Sequence, residues 1–151
     1  EIALEIRLWP VEMREIRDDG ESSRLLAREA VYQYARKSLR GSDVEVFLGR
    51  GGAPEGSVIR ASRASWDFEG KEILLPDGGR AERGGEWKGE LSAAAIDLEG
   101  RVLRVPGAVT LTGPGLSLAG RNLVWNWTDG RITMDAPASR IAPASLPKRK
   151  G

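Results

Sequence analysis

The sequence predicts an all-β chain, a twisted antiparallel sheet built from repeated bent hairpins, and three observations predict it. The first is the stretch Ala61 to Leu75, ASRASWDFEGKEILL. Ala64, Trp66 and Phe68 point one way and Ser65, Asp67 and Glu69 the other, which is the period of a half-buried strand. Glu69-Gly70-Lys71 turns the chain, and Ile73 and Leu75 return the apolar face. The second observation is repetition, with units recurring roughly every 30 residues, a spacing that marks stacked supersecondary units. One copy carries Ala27, Ala30, Tyr32 and Tyr34, the turn Ala35-Arg36-Lys37-Ser38, then Val44 and Val46. Another carries Leu91, Ala94, Ile96 and Leu98, the turn Glu99-Gly100-Arg101, then Leu103 and Val105. The last carries Gly120, Leu123, Trp125 and Trp127, the turn Thr128-Asp129-Gly130-Arg131, then Ile132 and Met134. The third observation is a slip of apolar parity at the head of each unit. Ile59 and Ala61 are odd while Ala64, Trp66 and Phe68 are even; Leu116 and Leu118 are even while Leu123 and Trp125 are odd. A flat strand cannot change parity without turning its apolar set to the wrong face. A bulge or corner can, so each strand is expected to bend there and the stack to form a curved wall with an apolar inner surface.

Taken in order, Glu1 to Trp9 alternates Ile2, Leu4, Ile6 and Leu8 against polar or small residues and reads as a strand that Pro10 ends or bends. Val11 to Ile16 reads as a second short strand, and Asp18-Asp19-Gly20 as a turn. Ser22 to Gln33 holds good helix formers behind a Ser cap, so a helix competes there. Its match to the three later copies assigns it to a strand instead. Expected strands are Ile2–Trp9, Ala30–Tyr34, Val44–Leu48, Ser65–Phe68, Glu72–Leu75, Ala95–Leu98, Val102–Val105, Ala108–Thr112, Leu123–Trp127 and Arg131–Met134. Loops or turns are expected at Gly51 to Gly56, Pro76 to Gly79, Arg83 to Gly85, Pro106-Gly107 and Gly113 to Gly115. Ile141 suggests a final edge strand, and residues 147–151, PKRKG, form a basic tail expected to be disordered. Residues 1–146 are read as one domain, as expected for a chain of 151 residues.

Composition narrows function. The net charge is +1, and no RNA-recognition, zinc or phosphate-loop pattern is present, so no nucleic-acid partner is expected. Histidine and cysteine are both absent, which removes imidazole acid–base work, thiol nucleophiles and most zinc sites. No cofactor and no metal are expected. Asp67 and Asp97 hold equivalent repeat positions and resemble a glycosidase pair in kind. By parity, however, both lie on the polar face of their strands, where charges are ordinary. The chain is therefore read as no enzyme. No transmembrane segment or signal peptide is visible, and the start at Glu1 rather than Met is read as a processed or truncated end, which leaves open whether a membrane anchor precedes it.

Tyr32, Tyr34, Trp66, Phe68, Ile96, Leu98, Trp125, Trp127, Ile132 and Met134 share the inner face by parity. They are either packed core or the lining of an apolar groove, and the sequence leaves both open. Trp9 and Trp87 lie off the pattern, as rim residues or exposed carbohydrate contacts.

Units of the form A-x-x-A-x-W-x-F, turn, G-K and alternating apolar residues resemble the periplasmic β-jellyroll of lipopolysaccharide export proteins, the LptC type and its LptA or OstA-like relatives. The order of a leading strand (ALEIRLW), a turn (RDDGES) and the stretch LLAREAVYQYARKSLRGSDVEVFL is similar to the LptC type. The resemblance covers nearly the whole chain and rests on spacing rather than on an invariant motif. It implies a twisted antiparallel jellyroll, OstA-like, held in the periplasm by an N-terminal inner-membrane helix. It implies that the domain binds lipopolysaccharide acyl chains on the ten residues named above. It also implies that lipopolysaccharide comes from an inner-membrane ABC transporter complex and passes to an LptA-type bridge protein through edge strands. The alternatives are a soluble LptA-like bridge of the same fold, a repetitive structural module with a filled core, and a carbohydrate-binding module.

Overall fold

The structure, a computed structural model, describes residues 5–8, 10–16, 22–49 and 56–141, and among them there is no helix. The strands are β1 (Glu5–Leu8), β2 (Val11–Ile16), β3 (Ser22–Gln33), β4 (Ser38–Leu48), β5 (Ser57–Asp67), β6 (Glu72–Leu75), β7 (Gly79–Arg83), β8 (Trp87–Leu91), β9 (Ala94–Asp97), β10 (Val102–Gly113), β11 (Leu116–Asn126) and β12 (Ile132–Ile141). All pair antiparallel in one sheet whose path runs β1-β3-β4-β5-β6-β9-β10-β11-β12. The remaining three strands close a parallel course beside it, with β2 on β3, β7 on β5 and β8, and β8 on β10. The all-β, jellyroll-like expectation holds, and the stretch in which a helix competed is the strand β3.

Each long strand is bent, and its two halves belong to two half-sheets. One half contains β1, β6 and β9 with the turn-proximal parts of β3, β4, β5, β10, β11 and β12. The other contains β2, β7 and β8 with the remaining parts. β1 and β2 are one strand interrupted at Pro10, because Leu8 pairs with Ala30 and Val11 with Ala27 in unbroken register. The parity slip read from the sequence is this bend. Two consecutive exposed residues mark it in β3 (Arg28, Glu29), β4 (Ser42, Asp43), β5 (Ser62, Arg63) and β11 (Arg121, Asn122). The apolar set then resumes on the other parity, so both halves turn their apolar side inward. Asp43 and Asn122 adopt left-handed φ of 50° and 58° at the bend, a conformation that Asx side chains tolerate better than most.

Polar side chains stitch the bend from strand to strand. Arg63 clamps Asp77 through two bonds of 2.7 and 3.0 Å. Ser92 Oγ donates to the Ala108 carbonyl at 2.7 Å, and Asn122 Nδ2 donates to Asp135 at 2.8 Å. The expected break at Pro106-Gly107 is not a turn between strands. β10 runs through it, and the register with β11 skips from Val105 to Ala108, so the proline falls where no ladder donor is required.

The four repeated turns stack at one end. Phe68 N–H donates to the Lys37 carbonyl, Leu98 N–H to that of Lys71, and Trp127 N–H to that of Arg101. Asp67 Oδ1 accepts from the amides of Glu69 and Gly70, Asp97 Oδ1 from Gly100, and Asn126 Oδ1 from Thr128 and Asp129. The strands end one residue sooner than expected, at Gln33, Asp67, Asp97 and Asn126, the last three at these Asx turns. They also give Asp67 and Asp97 a structural task, since each carboxylate caps its own turn.

The core lies between the half-sheets. Leu25, Val44, Val46, Ile59, Ile73, Leu75, Ile96, Leu98, Val105 and Val109 are all fully buried. The basic tail at 147–151, most of the loop at 51–56, Trp9 and the start of the first expected strand lie outside the described residues.

Candidate functional site

One cross-strand row runs the width of the turn-side half-sheet, and its members pair successively as Tyr32, Leu39, Trp66, Ile73, Ile96, Leu103, Trp125 and Ile132. Five of the ten expected lining residues therefore stand in register on one inner face, as parity implied. Their surroundings differ along the row. Tyr32, Trp66 and Phe68 form an aromatic cluster with ring centroids 5.9 Å apart, packed into or against the core. Ile96, Leu98 and Trp127 are buried, and Met134 packs against the core. Tyr34 does not share the inner face. It lies in the first turn, one residue past the end of β3, and is 61% exposed.

At the far end of the row the two half-sheets fail to fill the space between them. A cleft of about 260 Å³ is lined by Ala81, Gly89, Leu91, Leu103, Leu111, Leu123, Trp125 and Ile132, with Ser57, Glu82, Arg83, Trp87 and Lys88 also on its lining. Only Trp125 and Ile132 of the ten expected residues touch it. The cause is a deficit of side-chain volume in the facing row. There Leu25, Val46, Ile59, Ala81, Gly89 and Leu111 pair in succession, so large residues give way to a methyl and then to no side chain at all. Packing in protein interiors leaves few gaps of even one water, so two adjacent small residues opposite Leu103, Leu123 and Trp125 open a cleft that nothing else closes.

Trp87 is part of this lining, as the sequence allowed for a rim residue. Its indole lies flat on Gly113, where any Cβ would stand within 2.7 Å of the ring. The Arg83 guanidinium lies 5.9 Å over the ring of Trp125, a contact that spans the two half-sheets and places them face to face. Trp125 itself is 8% exposed, and its Nε1 is a buried donor with no hydrogen-bond partner among the described residues. Sequence periodicity missed Ala81, Gly89 and Leu111, which lie outside the repeated unit. The signal for them was the absence of Leu, Ile, Val and Phe from Gly79 to Gly89, readable only once the register of β7 and β8 is known.

Several other charges form surface pairs. Arg60 bridges Glu45 and Glu82 on the outer face, and Lys37 meets Glu69 across neighbouring turns at 2.9 Å. Hydrogen bonding from these carboxylates raises Arg60 and Lys37 above their ordinary values, and that from Arg63 holds Asp77 below its own.

Neither a scan against protein-family models nor a search of curated proteins finds a match to this chain. The resemblance to LptC-type domains therefore rests on the spacing of the repeated residues alone.

Proposed function

We propose that this domain is a lipid carrier that holds an acyl chain in the cleft between its half-sheets. We further propose that the lipid is lipopolysaccharide, taken from an inner-membrane ABC transporter and handed to an LptA-type bridge protein in the periplasm. The observation that carries the reading is the cleft itself: an apolar-walled gap with the Arg83 guanidinium beside it, between half-sheets whose described core is otherwise packed. Moving an alkyl chain from water onto such walls is favourable by about 25 cal/mol per Å² of apolar surface removed. The volume, about 260 Å³, lies below the ~300 Å³ at which sites for drug-sized ligands begin. The cleft in this form accepts one chain or part of one, and a multiply acylated lipid would pass through it chain by chain.

The identity of the lipid, the periplasmic location and the partners rest on the LptC-type resemblance, with β1 and β12 at the sheet's two ends as the edges for strand addition. A carrier needs no catalytic pair, in keeping with Asp67 and Asp97 serving as turn caps. The filled core around Ile59, Ile73 and Ile96 favours a second reading, a structural β module.

Photo-crosslinking separates the two. Probes at Leu111 and Ile132 should crosslink lipopolysaccharide, and a probe at Leu74, an exposed apolar residue with no place in the cleft, should not. Equal crosslinking from all three positions, or none from any, would reject the carrier reading in favour of the module.

A further inference from the structure

Charge is unevenly placed around the cleft. Three charged residues belong to its lining, Glu82, Arg83 and Lys88. Glu82 and Lys88 stand directly opposite each other on β7 and β8, and Glu82 meets Arg60 at 3.3 Å, so alternation assigns both side chains to the outer face. Arg83 has the other parity. It belongs to the inward row Ser57, Arg83 and Trp87, whose members pair in succession and all reach the lining. Its guanidinium lies 5.9 Å over the ring of Trp125 in the facing half-sheet. Arg83 is also exposed, which puts it at the mouth of the cleft rather than in its depth. The backbone pins it there. Arg83 is the last residue of β7, its carbonyl accepts the Glu86 amide at 3.3 Å, and Gly84 and Gly85 close the turn with left-handed φ of 62° and 74°. Covering Trp125 does not require a charge, since the unbranched stem of a methionine would do it.

We infer that the cleft takes an amphiphile with an anionic head, a carboxylate or a phosphate, and that Arg83 holds this head at the mouth while the chain lies on Leu103, Leu111 and Leu123. The inference rests on the cleft being the chain-binding site proposed above, and it adds the charge of the head group and the residue that reads it. A guanidinium offers five N–H donors in a planar fork, enough to grip a carboxylate or phosphate through two parallel bonds beside its other contacts. Chain and head are then read by different parts of the site. Apolar area sets the affinity for any chain of a given length, and charge-assisted bonds choose among heads.

The test holds the chain constant and changes the head. Decyl phosphate, 1-decanol and decyltrimethylammonium are titrated into the folded chain by calorimetry at low ionic strength, each below its micellar concentration, with inorganic phosphate as a fourth ligand. Decyl phosphate should bind at least about tenfold more tightly than 1-decanol, as expected for charge-assisted hydrogen bonds, and the cationic amphiphile more weakly than either. Arg83→Met, which keeps a stem over Trp125, should bring the phosphate-to-alcohol ratio close to one. If the decyl ligands bind wild type with equal affinity, head recognition is wrong and chain binding stands. A preference that survives in Arg83→Met removes Arg83 from the role. Inorganic phosphate binding as tightly as decyl phosphate would mean a plain anion site and overturn the amphiphile. If none of the decyl ligands binds wild type, the cleft reading falls and the inference with it. Should Arg83→Met fail to fold, the Arg83 ¹⁵Nε resonance of wild type decides: it must move with decyl phosphate and stay with 1-decanol.

Discussion

Truncating two leucine-sized side chains, one in the packed part of the row system and one on the cleft, should have unequal consequences. Ile96 is fully buried, with Ile73 on one side and Leu103 on the other. Ile96→Ala removes three carbons, about 2.4 kcal/mol at ~0.8 kcal/mol per buried methylene. It also leaves a closed cavity whose unrelieved volume adds to the loss, so the total should be about 3–4 kcal/mol. Leu111 is only partly buried and already borders open space. Leu111→Ala widens an existing cleft and creates no new closed void, so only part of the transfer term is lost, about 1 kcal/mol. Equilibrium urea unfolding at constant m-value reads both, and the gap of about 2 kcal/mol corresponds to roughly 4–8 °C in Tm for a chain of this size. Equal losses would mean that Leu111 is packed as tightly as Ile96 in solution, and the cleft would have to be abandoned along with everything built on it.

Ala81→Leu places three carbons into the cleft from β7, and should raise the stability of the unliganded protein by about 1 kcal/mol while abolishing the ligand-induced shift in Tm. Loss of stability with ligand binding intact would show that the side chain does not enter the cleft. Gly78→Ala should cost at least ~2 kcal/mol, because φ is +73° there and an added Cβ runs into the Leu91 carbonyl where β8 meets β9. A neutral result by thermal melting would place the bend elsewhere. The Arg63–Asp77 clamp predicts an acid effect of definite sign. The hydrogen bond from Arg63 lowers the Asp77 carboxyl below its ordinary 3.8, so the stability it contributes is present above that value and is lost as pH falls through the depressed one. Asp77→Asn should therefore melt lower than wild type at pH 7, with the difference shrinking as the pH falls below 3.8; a difference independent of pH would assign the effect to packing.

The fold was legible because its two governing features are local. Alternation along Ala64–Phe68 fixes which side of a strand faces inward, and the parity slip between Ala61 and Ala64 marks the bend before any partner is known. Repetition then decided the one contest that propensity left open, at Ser22–Gln33, where helix-forming residues sit in a strand because their Ala27-x-x-Ala30 step matches the bends of three other units. Strand ends were less legible. Tyr34, Phe68, Leu98 and Trp127 continue the apolar alternation, yet each is a turn residue. The Asx side chain before the latter three folds back onto the turn amides, and that bond leaves no trace in a hydrophobic pattern. The break between β6 and β7 was legible in its turn residues, Pro76 to Gly79, but the one at Ser92-Ala93 between β8 and β9 was hidden, because those strands are too short to show a parity change.

The site exposes a deeper limit. Periodicity assigns a side chain to a face, but a cleft is a property of two faces and of the volume between them. Tyr32, Trp66, Ile96 and Trp125 hold one repeat position and stand in one row, yet the first three meet a filled core and the last borders open space. What separates them lies in the other half-sheet, where Ile59 pairs with Ala81 and Ala81 with Gly89. The aromatic repeats supply a wall that is the same all along its length. The place where the half-sheets part is set by the least conspicuous residues of the chain, an alanine and a glycine in β7 and β8, opposite an indole that the repeat supplies at Trp66 and Trp125 alike.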